Sequence, residues 1–273
     1  MRASRTARAG YYTTAAALAV LFLFPLLWSS YSSVKGEPGS GQESGFGFGN
    51  YTRMAEYGEG VGTYLANTLA VSLMTVAGTL FVSALGGYAF ARFRFPGKDL
   101  LFLATLAILM VPYATILVPL YVVLVHLGLQ NSLVGLSLVL IMFQLPFALF
   151  MMRNAFEALP RELEEAALVD GCTTFKALRR ILLHAVRPAL ITVGLFSFLA
   201  SWNDFFAPLI LLSDGAKFTL PVAVVSMRER SFGAIDYGAL EAGVVVMALP
   251  CIVLFLVLQR YYVRGFMSGA VRG

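Results

Sequence analysis

Six long apolar segments, separated by polar stretches, make up most of the chain. A helix needs about 20 mainly apolar residues to cross the hydrocarbon core of a bilayer. The pattern therefore predicts an all-α integral membrane protein with six transmembrane helices. The predicted spans are residues 11–31, 65–91, 100–126, 132–152, 189–212 and 241–263.

The first apolar segment fits two interpretations. Arg2, Arg5 and Arg8 followed by an apolar run are also typical of a signal peptide. However, the run from Tyr11 to Trp28 is long, and no A-x-A cleavage pattern follows it. We therefore expect residues 1–10 to be a cytoplasmic tail and the first helix to be retained.

Composition supports a membrane protein. Of the 273 residues, 59% are hydrophobic and 13% are charged, whereas a soluble domain is about 25% charged. The net charge of +5 does not indicate a nucleic-acid partner, because the basic residues follow the predicted membrane boundaries. Cys172 lies in a polar loop and Cys251 in an apolar segment, so we expect no disulfide bond between them.

Lysine and arginine are distributed unequally between the two sides of the predicted bundle. With the N-terminus inside, fifteen of the twenty lie in inner segments and five in outer segments. The positive-inside rule therefore places both termini in the cytoplasm. No soluble domain is expected, and residues 11–273 are predicted to form a single transmembrane domain.

The longest inner loop, residues 153–188, begins with a predicted short helix. Pro160 suits the first position of a helix. Glu162, Glu164 and Glu165 follow it, where negative charge favours the positive end of the helix dipole. This helix is expected to be acidic.

A turn and a second helix are predicted to follow in the same loop. Gly171 can adopt the left-handed conformation that ends a helix. Thr173 or Thr174 can cap a second, basic helix, and Pro188 can open the fifth span. The loop is thus expected to be a short helix, a sharp turn and a basic helix that returns to the membrane.

The loop could also be an amphipathic connector that lies on the anionic inner leaflet. Two features favour a protein partner instead. Ala166 and Ala167 give the first helix a small, flat face, which suits a groove in another protein. Its acidic charge would also be repelled by an anionic surface.

Motifs in this loop and elsewhere resemble those of a known family. Glu165-Ala-Ala-x-x-Asp170-Gly171, followed by Ile181-x-Leu183 and Pro188, looks like the EAA signature of ATP-binding-cassette importer permeases. Four further segments resemble the carbohydrate-uptake permeases of the maltose-transporter G-type: Gly87–Gly97, Trp202–Leu209, Leu220–Val222 and Arg264–Gly273. The resemblance covers most of the length from about Asn50 onward. His184 and Cys172 depart from the pattern, because the family usually has proline and alanine there.

The resemblance implies that the loop docks on a separate ATPase. In this family the EAA helix enters a cleft of the cytoplasmic ATPase subunit and transmits its closure to the spans. The corresponding residues here are Glu165, Ala166, Ala167 and Asp170, with Gly171 as the fixed corner. Coupling of this kind requires a stiff element with small residues at its contact.

The resemblance also implies the partners. These are two copies of the ATPase, a second, homologous permease as a heterodimer partner, and an extracytoplasmic solute-binding protein. The chain has no G-x-x-x-x-G-K-[ST] phosphate loop, so ATP and magnesium would be bound by the ATPase and no cofactor by this chain. The C-terminal residues Gly269, Ala270 and Gly273 are weaker candidates for a second ATPase contact.

Polar residues within the spans are candidates for the transport path. Asn203 and Asp204 lie in the fifth span and Gln144 in the fourth. Polar groups at membrane depth usually face the bundle interior or water. They can also join helices by hydrogen bonds, and we consider this at least as good an interpretation for all three.

The expected function is translocation of a sugar or oligosaccharide across a bacterial or archaeal plasma membrane by alternating access. A permease for a polyol or sugar phosphate is an alternative, as is an ion-coupled secondary carrier. An intramembrane enzyme is disfavoured because the only histidines, His126 and His184, lie on opposite sides of the predicted bilayer.

Overall fold

The computed structural model describes the backbone of residues 5–36, 45–227 and 236–270, and the side chains of residues 10–36, 45–227 and 236–259. Within these ranges the chain is mostly helical. Strand pairing there is limited to an isolated antiparallel bridge between Lys35 and Phe46. The predicted all-helical class is confirmed for the described residues.

Thirteen α-helices are present in the described part of the chain. They are α1 (Arg5–Val34), α2 (Gly49–Ala55), α3 (Val61–Arg92), α4 (Lys98–Ala107), α5 (Tyr113–His126), α6 (Leu133–Glu157), α7 (Glu162–Val169), α8 (Thr174–Ala177), α9 (Leu183–Ala185), α10 (Arg187–Trp202), α11 (Phe206–Leu211), α12 (Leu220–Ser226) and α13 (Tyr237–Ala270). A π-helical turn, Leu178–Leu182, joins α8 to α9.

Four helices in the described residues are long and apolar enough to cross a membrane. They are Gly10–Val34, Val61–Arg92, Leu133–Glu157 and Tyr237–Gln259. Two bent helix pairs raise the number of candidate spans to six if each pair crosses once. These pairs are Lys98–Met110 with Tyr113–His126, bent by 109°, and Thr174–Ala185 with Arg187–Trp202, bent by 78°.

The predicted third span, residues 100–126, is not one continuous helix. A 3-10 turn, Ile108–Met110, follows α4, and Val111 is extended with φ −82° and ψ 127°. Pro112 explains the break, because a proline has no N–H to donate and excludes the α conformation from the residue before it. Pro119 lies inside α5.

The predicted fifth span, residues 189–212, also needs correction. Helix α10 ends at Trp202, and Asn203 is its C-cap. A short helix, α11, begins three residues later, at Phe206. The 16 residues of α10 give it a length of about 24 Å.

The chain forms two compact units, of which the first comprises Met1–Gly62 and Ala223–Pro250. Fully buried Asn50 lies at the centre of a hydrogen-bond network in this unit. Its Nδ2 donates to the carbonyl oxygens of Ser33 at 2.9 Å and Lys35 at 3.0 Å, which satisfies the end of α1. Its Oδ1 accepts a bond from Arg53 Nη2 at 2.6 Å, and Arg53 Nε contacts Asp236 Oδ2 at 2.8 Å. Asp236 also caps α13.

The second unit, Thr63–Val222 and Cys251–Gly273, contains two hydrophobic clusters. One joins α3, α5, α6 and α11 around fully buried Leu117 and Ala207. The other joins the end of α3 to α6, the π-helical turn and α10 around Phe156 and Leu182. The loop between α6 and α10 is built on this second cluster.

Candidate functional site

The loop between α6 and α10 contains the predicted helix and corner. Gly171 has φ 79°, so its predicted left-handed conformation is confirmed. Its N–H donates to Leu168 O at 3.0 Å, and the Cys172 N–H donates to Ala167 O at 3.0 Å. These two bonds form a Schellman motif, which ends α7 and fixes the direction of the chain after it.

The start of α7 differs by two residues from the prediction. The carbonyl of Arg161 accepts bonds from the N–H groups of Glu164, at 3.0 Å, and Glu165, at 3.1 Å. Arg161 is therefore the N-cap and Pro160 precedes the helix instead of occupying its first position. The three glutamates still lie in the first turn, where the dipole favours them.

The second half of the loop returns to the core through a continuous helical path. Thr173 is the N-cap of α8, and its Oγ1 accepts a bond from the Lys176 N–H at 3.3 Å. The path continues through the π-helical turn and α9, which includes His184. Pro188 lies in the first turn of α10, as predicted.

The two alanines of the EAA signature differ in exposure. Ala167 is 3% exposed and packs within the protein. Glu165 and Ala166 are exposed, and Val169, which is 87% exposed, lies one helical turn further along the same face of α7. The expectation that both alanines form one outer face is therefore corrected: Ala166 is on it and Ala167 is not. Asp170 is exposed next to the corner.

Two exposed apolar side chains were not predicted as part of the site. Val169 ends α7, and Phe175, 65% exposed, lies in α8. Single exposed apolar side chains are common on protein surfaces, and only a contiguous apolar patch marks a contact by itself. The sequence signal was available, because Val169 follows Glu165 and Ala166 at the helical spacing of four and three residues.

Glu164 faces the protein and holds α7 to the end of α3. Its Oε2 lies 3.3 Å from Arg92 Nε, and its Oε1 accepts a hydrogen bond from the Tyr88 hydroxyl. The Arg92–Glu164 contact is an ion pair without hydrogen-bond geometry at Nε. Arg92 Nη2 donates instead to the Leu159 carbonyl at 3.0 Å, just before α7. Sequence analysis did not find this anchor.

The candidate transport-path residues Asn203 and Asp204 lie at the break between α10 and α11. Asn203 is exposed, and its Nδ2 donates to Leu199 O at 2.8 Å. Asp204 is half-buried: Oδ1 accepts a bond from the Ala207 N–H at 2.9 Å and Oδ2 one from the Tyr113 hydroxyl at 2.6 Å. Both Asp204 oxygens are therefore engaged in holding α11 and the start of α5.

The remaining candidates are less informative. Gln144 is half-buried in the middle of α6. Gly269 and Ala270 lie in the helical part of the tail, beyond the side chains that the structure describes, and Gly273 lies outside the described residues altogether. In the described part of the chain, no three His, Cys, Asp or Glu side chains are placed to hold a metal ion.

Comparison with known proteins identifies the family. A family model described as "binding-protein-dependent transport system inner membrane component" matches residues 83–267. The chain is 33% identical over 264 residues to the probable ABC transporter permease protein YurM of Bacillus subtilis, covering 93% of this chain and 85% of the relative. It is 34% identical over 258 residues to the trehalose transport system permease protein SugB of Mycobacterium tuberculosis, covering 94% of this chain and 93% of the relative.

The fold is similar to that of a solved importer. A crystal structure of a bacterial ABC transporter involved in the import of the acidic polysaccharide alginate aligns with a TM-score of 0.81 at 22% identity, covering 96% of this chain and 99% of that one. At this identity the likeness concerns the fold alone. The family model and the matched relatives confirm the resemblance seen in the motifs, and the protein is a transport subunit, not an enzyme. The chain belongs to the family of inner membrane components of binding-protein-dependent transport systems.

Proposed function

We propose that this chain is a membrane-spanning subunit of an ATP-binding-cassette importer for a sugar or oligosaccharide in a bacterial or archaeal plasma membrane. Family membership supports the importer, and the trehalose permease among the relatives supports a carbohydrate substrate. The observation that carries the proposal is the two-turn helix α7, which presents an exposed face and ends in a fixed corner.

The proposed topology has six spans and both termini in the cytoplasm, within a single permease domain. It counts Lys98–Met110 with Tyr113–His126 as one crossing and starts the fifth crossing at Arg187, after the loop. The unequal distribution of lysine and arginine supports it, since fifteen of the twenty then lie in inner segments. The loop between α6 and α10 is then cytoplasmic and reachable by a cytoplasmic ATPase.

The proposed ATPase contact is the outer face of α7. Glu165 would supply a polar contact, Ala166 would allow close approach, and Val169 and Phe175 would fill apolar hollows of the partner. A helix that inserts an exposed face into a groove is a common mode of recognition. Gly171 would hold the angle between this helix and the path to α10, so that motion at the contact reaches the spans.

The proposed complex contains two ATPase copies, a second and non-identical permease, and an extracytoplasmic solute-binding protein. ATP and magnesium would bind to the ATPase copies. The tail residues Gly269, Ala270 and Gly273 would form a second contact with them. Alternating access would follow, with nucleotide-driven closure of the ATPase pair changing which side of the bundle is open.

Within the membrane, the proposed contribution of this chain to the path is centred on Asn203. Its side chain is exposed where α10 ends, about 24 Å along that helix from Arg187. Asp204 is instead proposed to hold the break together, because both of its carboxylate oxygens accept hydrogen bonds. Gln144 stays a secondary candidate for the path.

Affinity purification of the tagged chain from its native membrane in mild detergent tests the proposal. Mass spectrometry should recover an ATPase, a second permease and a solute-binding protein. Val169→Asp, on the outer face of α7, should lower ATPase recovery. Leu127→Asp is the matched control, because Leu127 is 64% exposed at the opposite end of the spans, after α5.

Ligand screening of the recovered binding protein would identify the substrate class and separate a sugar from a polyol or sugar phosphate. Recovery of the chain alone, under conditions that preserve a known importer complex, would contradict the proposal. It would favour an ion-coupled secondary carrier. Equal ATPase recovery with Val169→Asp and wild type would exclude the outer face of α7 as the contact.

A further inference from the structure

The end of α3 contacts the loop helix through two side chains one helical turn apart. The Tyr88 hydroxyl donates a hydrogen bond to Glu164 Oε1, and Arg92 Nε lies 3.3 Å from Glu164 Oε2. Arg92 also donates to the Leu159 carbonyl at 3.0 Å. One residue of α7 and the segment just before it are thus held by the same turn of α3.

These contacts are shielded from solvent. The side chains of Arg92 and Glu164 are 7% and 14% exposed. A charge in such a place is costly without its counter-charge, so the two side chains stabilise each other's position. An exposed pair would contribute little, because water and salt screen it.

The turn of α3 that carries these groups is itself firmly packed. Tyr88 is 4% exposed, and its ring lies edge-on to Phe156 of α6 with centroids 5.6 Å apart. Tyr88 and Ala91 share one buried cluster with Leu178 and Leu182 of the π-helical turn. A displacement of Glu164 is therefore passed to the packed end of α3 and is not absorbed by a flexible surface side chain.

Besides the backbone that leads back to α6, two routes connect α7 to the spans. The covalent route runs through the Gly171 corner and the π-helical turn to α10. The second route runs through Glu164 to α3, whose Tyr88 is 76 residues away in sequence. The backbone before α7 runs back to α6 through only four residues, 158–161, and the side-chain contacts with α3 stiffen this end of α7 and so limit a pivot about Gly171.

We propose that Tyr88 and Arg92 are positioning residues that tie the coupling helix α7 to α3, so that its movement is delivered to α3 and α10 together. The inference rests on the proposed function, in which α7 receives the movement of an ATPase. It assigns a role to the end of α3 and is separate from the proposed ATPase contact at Glu165, Ala166 and Val169.

The test uses the complete importer in proteoliposomes and measures substrate transported per ATP hydrolysed. Arg92→Lys keeps the charge but loses the planar guanidinium, and Tyr88→Phe removes only the hydroxyl. Arg94→Lys is the matched control, because Arg94 is exposed two residues further along. In this mechanism the first two variants transport about tenfold less substrate per ATP hydrolysed, a factor that corresponds to a typical coupling energy. The ratio for Arg94→Lys is unchanged.

A merely structural role predicts a different result. If the anchor only stabilised the fold, each variant would lower transport and ATP hydrolysis in proportion, and their ratio would stay that of wild type. An unchanged ratio in assembled Arg92→Lys or Tyr88→Phe complexes would overturn the inference. Failure of the proposed function looks different, because the wild-type chain itself would then neither bind an ATPase nor transport.

Discussion

The corner at Gly171 allows a graded test of rigid coupling. An L-residue in the left-handed conformation costs about 1–2 kcal/mol relative to glycine, and Gly171 has φ 79°. A Cβ added at this position would meet no atom within 4 Å, so the cost of Gly171→Ala is confined to the backbone. A change of about 1.4 kcal/mol lowers the ratio of formed to unformed corner about tenfold.

Proline at the same position has a larger effect for two reasons. Its ring fixes φ at about −65°, which the corner cannot accommodate. It also removes the N–H that donates to Leu168 O at 3.0 Å, a bond that contributes about 1 kcal/mol. Asparagine tolerates the left-handed region better than alanine. We therefore expect uptake to fall in the order glycine, asparagine, alanine, proline, with proline abolishing it.

The assay is uptake of the substrate in whole cells, with the amount of inserted protein measured in parallel by immunoblotting. Gly97→Ala is a matched control, because Gly97 has φ 77° and the same open space but lies outside the loop. Normal uptake by an inserted Gly171→Pro variant would refute the rigid-corner reasoning. So would equal losses of uptake in Gly97→Ala and Gly171→Ala.

Five further substitutions have defined outcomes. Ala166→Trp should insert and fold normally but lower ATPase co-purification, and unchanged co-purification would place the contact elsewhere. Ala167→Trp should instead destabilise the chain by about 1–3 kcal/mol through overpacking, seen as a lower Tm in detergent, since this side chain is buried. Tyr113→Phe and Asp204→Asn should each lower stability by about 1 kcal/mol, because each weakens the same hydrogen bond. Asn203→Ala should lower transport without changing Tm, and a normal transport rate would remove this residue from the path.

Sequence patterns predicted the elements whose cause is local. The apolar runs predicted where α3, α6 and α13 lie, because membrane helices need long apolar stretches. The turn after α7 was predictable because Gly171 is the residue best suited to a left-handed corner. The cap at Thr173 was predictable for a similarly local reason.

The breaks in the third and fifth spans could not be read from hydropathy. Residues on both sides of Pro112 are apolar, so a window average cannot separate a kinked span from two segments bent by 109°. The same holds around Asn203, where apolar residues continue after α10 has ended. The two breaks are joined by a hydrogen bond between distant residues, that of Tyr113 with Asp204, which a window average also cannot detect.

The orientation of α7 was also beyond local reasoning. Ala166 and Ala167 are the same residue type in adjacent positions, and nothing in their neighbourhood indicates which one is buried. The orientation follows from Glu164, whose partners lie in α3. A contact across 76 residues leaves no periodic trace in the sequence.

The network around Asn50 has a consequence for how the protein is made. Asn50 reaches back only 15 to 18 residues to the end of α1, so this cap can form soon after that segment leaves the ribosome. The ion pair of Arg53 requires Asp236, which is 183 residues further along the chain. The ion pair can therefore form only after synthesis has reached the start of α13, near the end of translation. The hydrogen bonds of Asn50 to the end of α1 can form near its beginning.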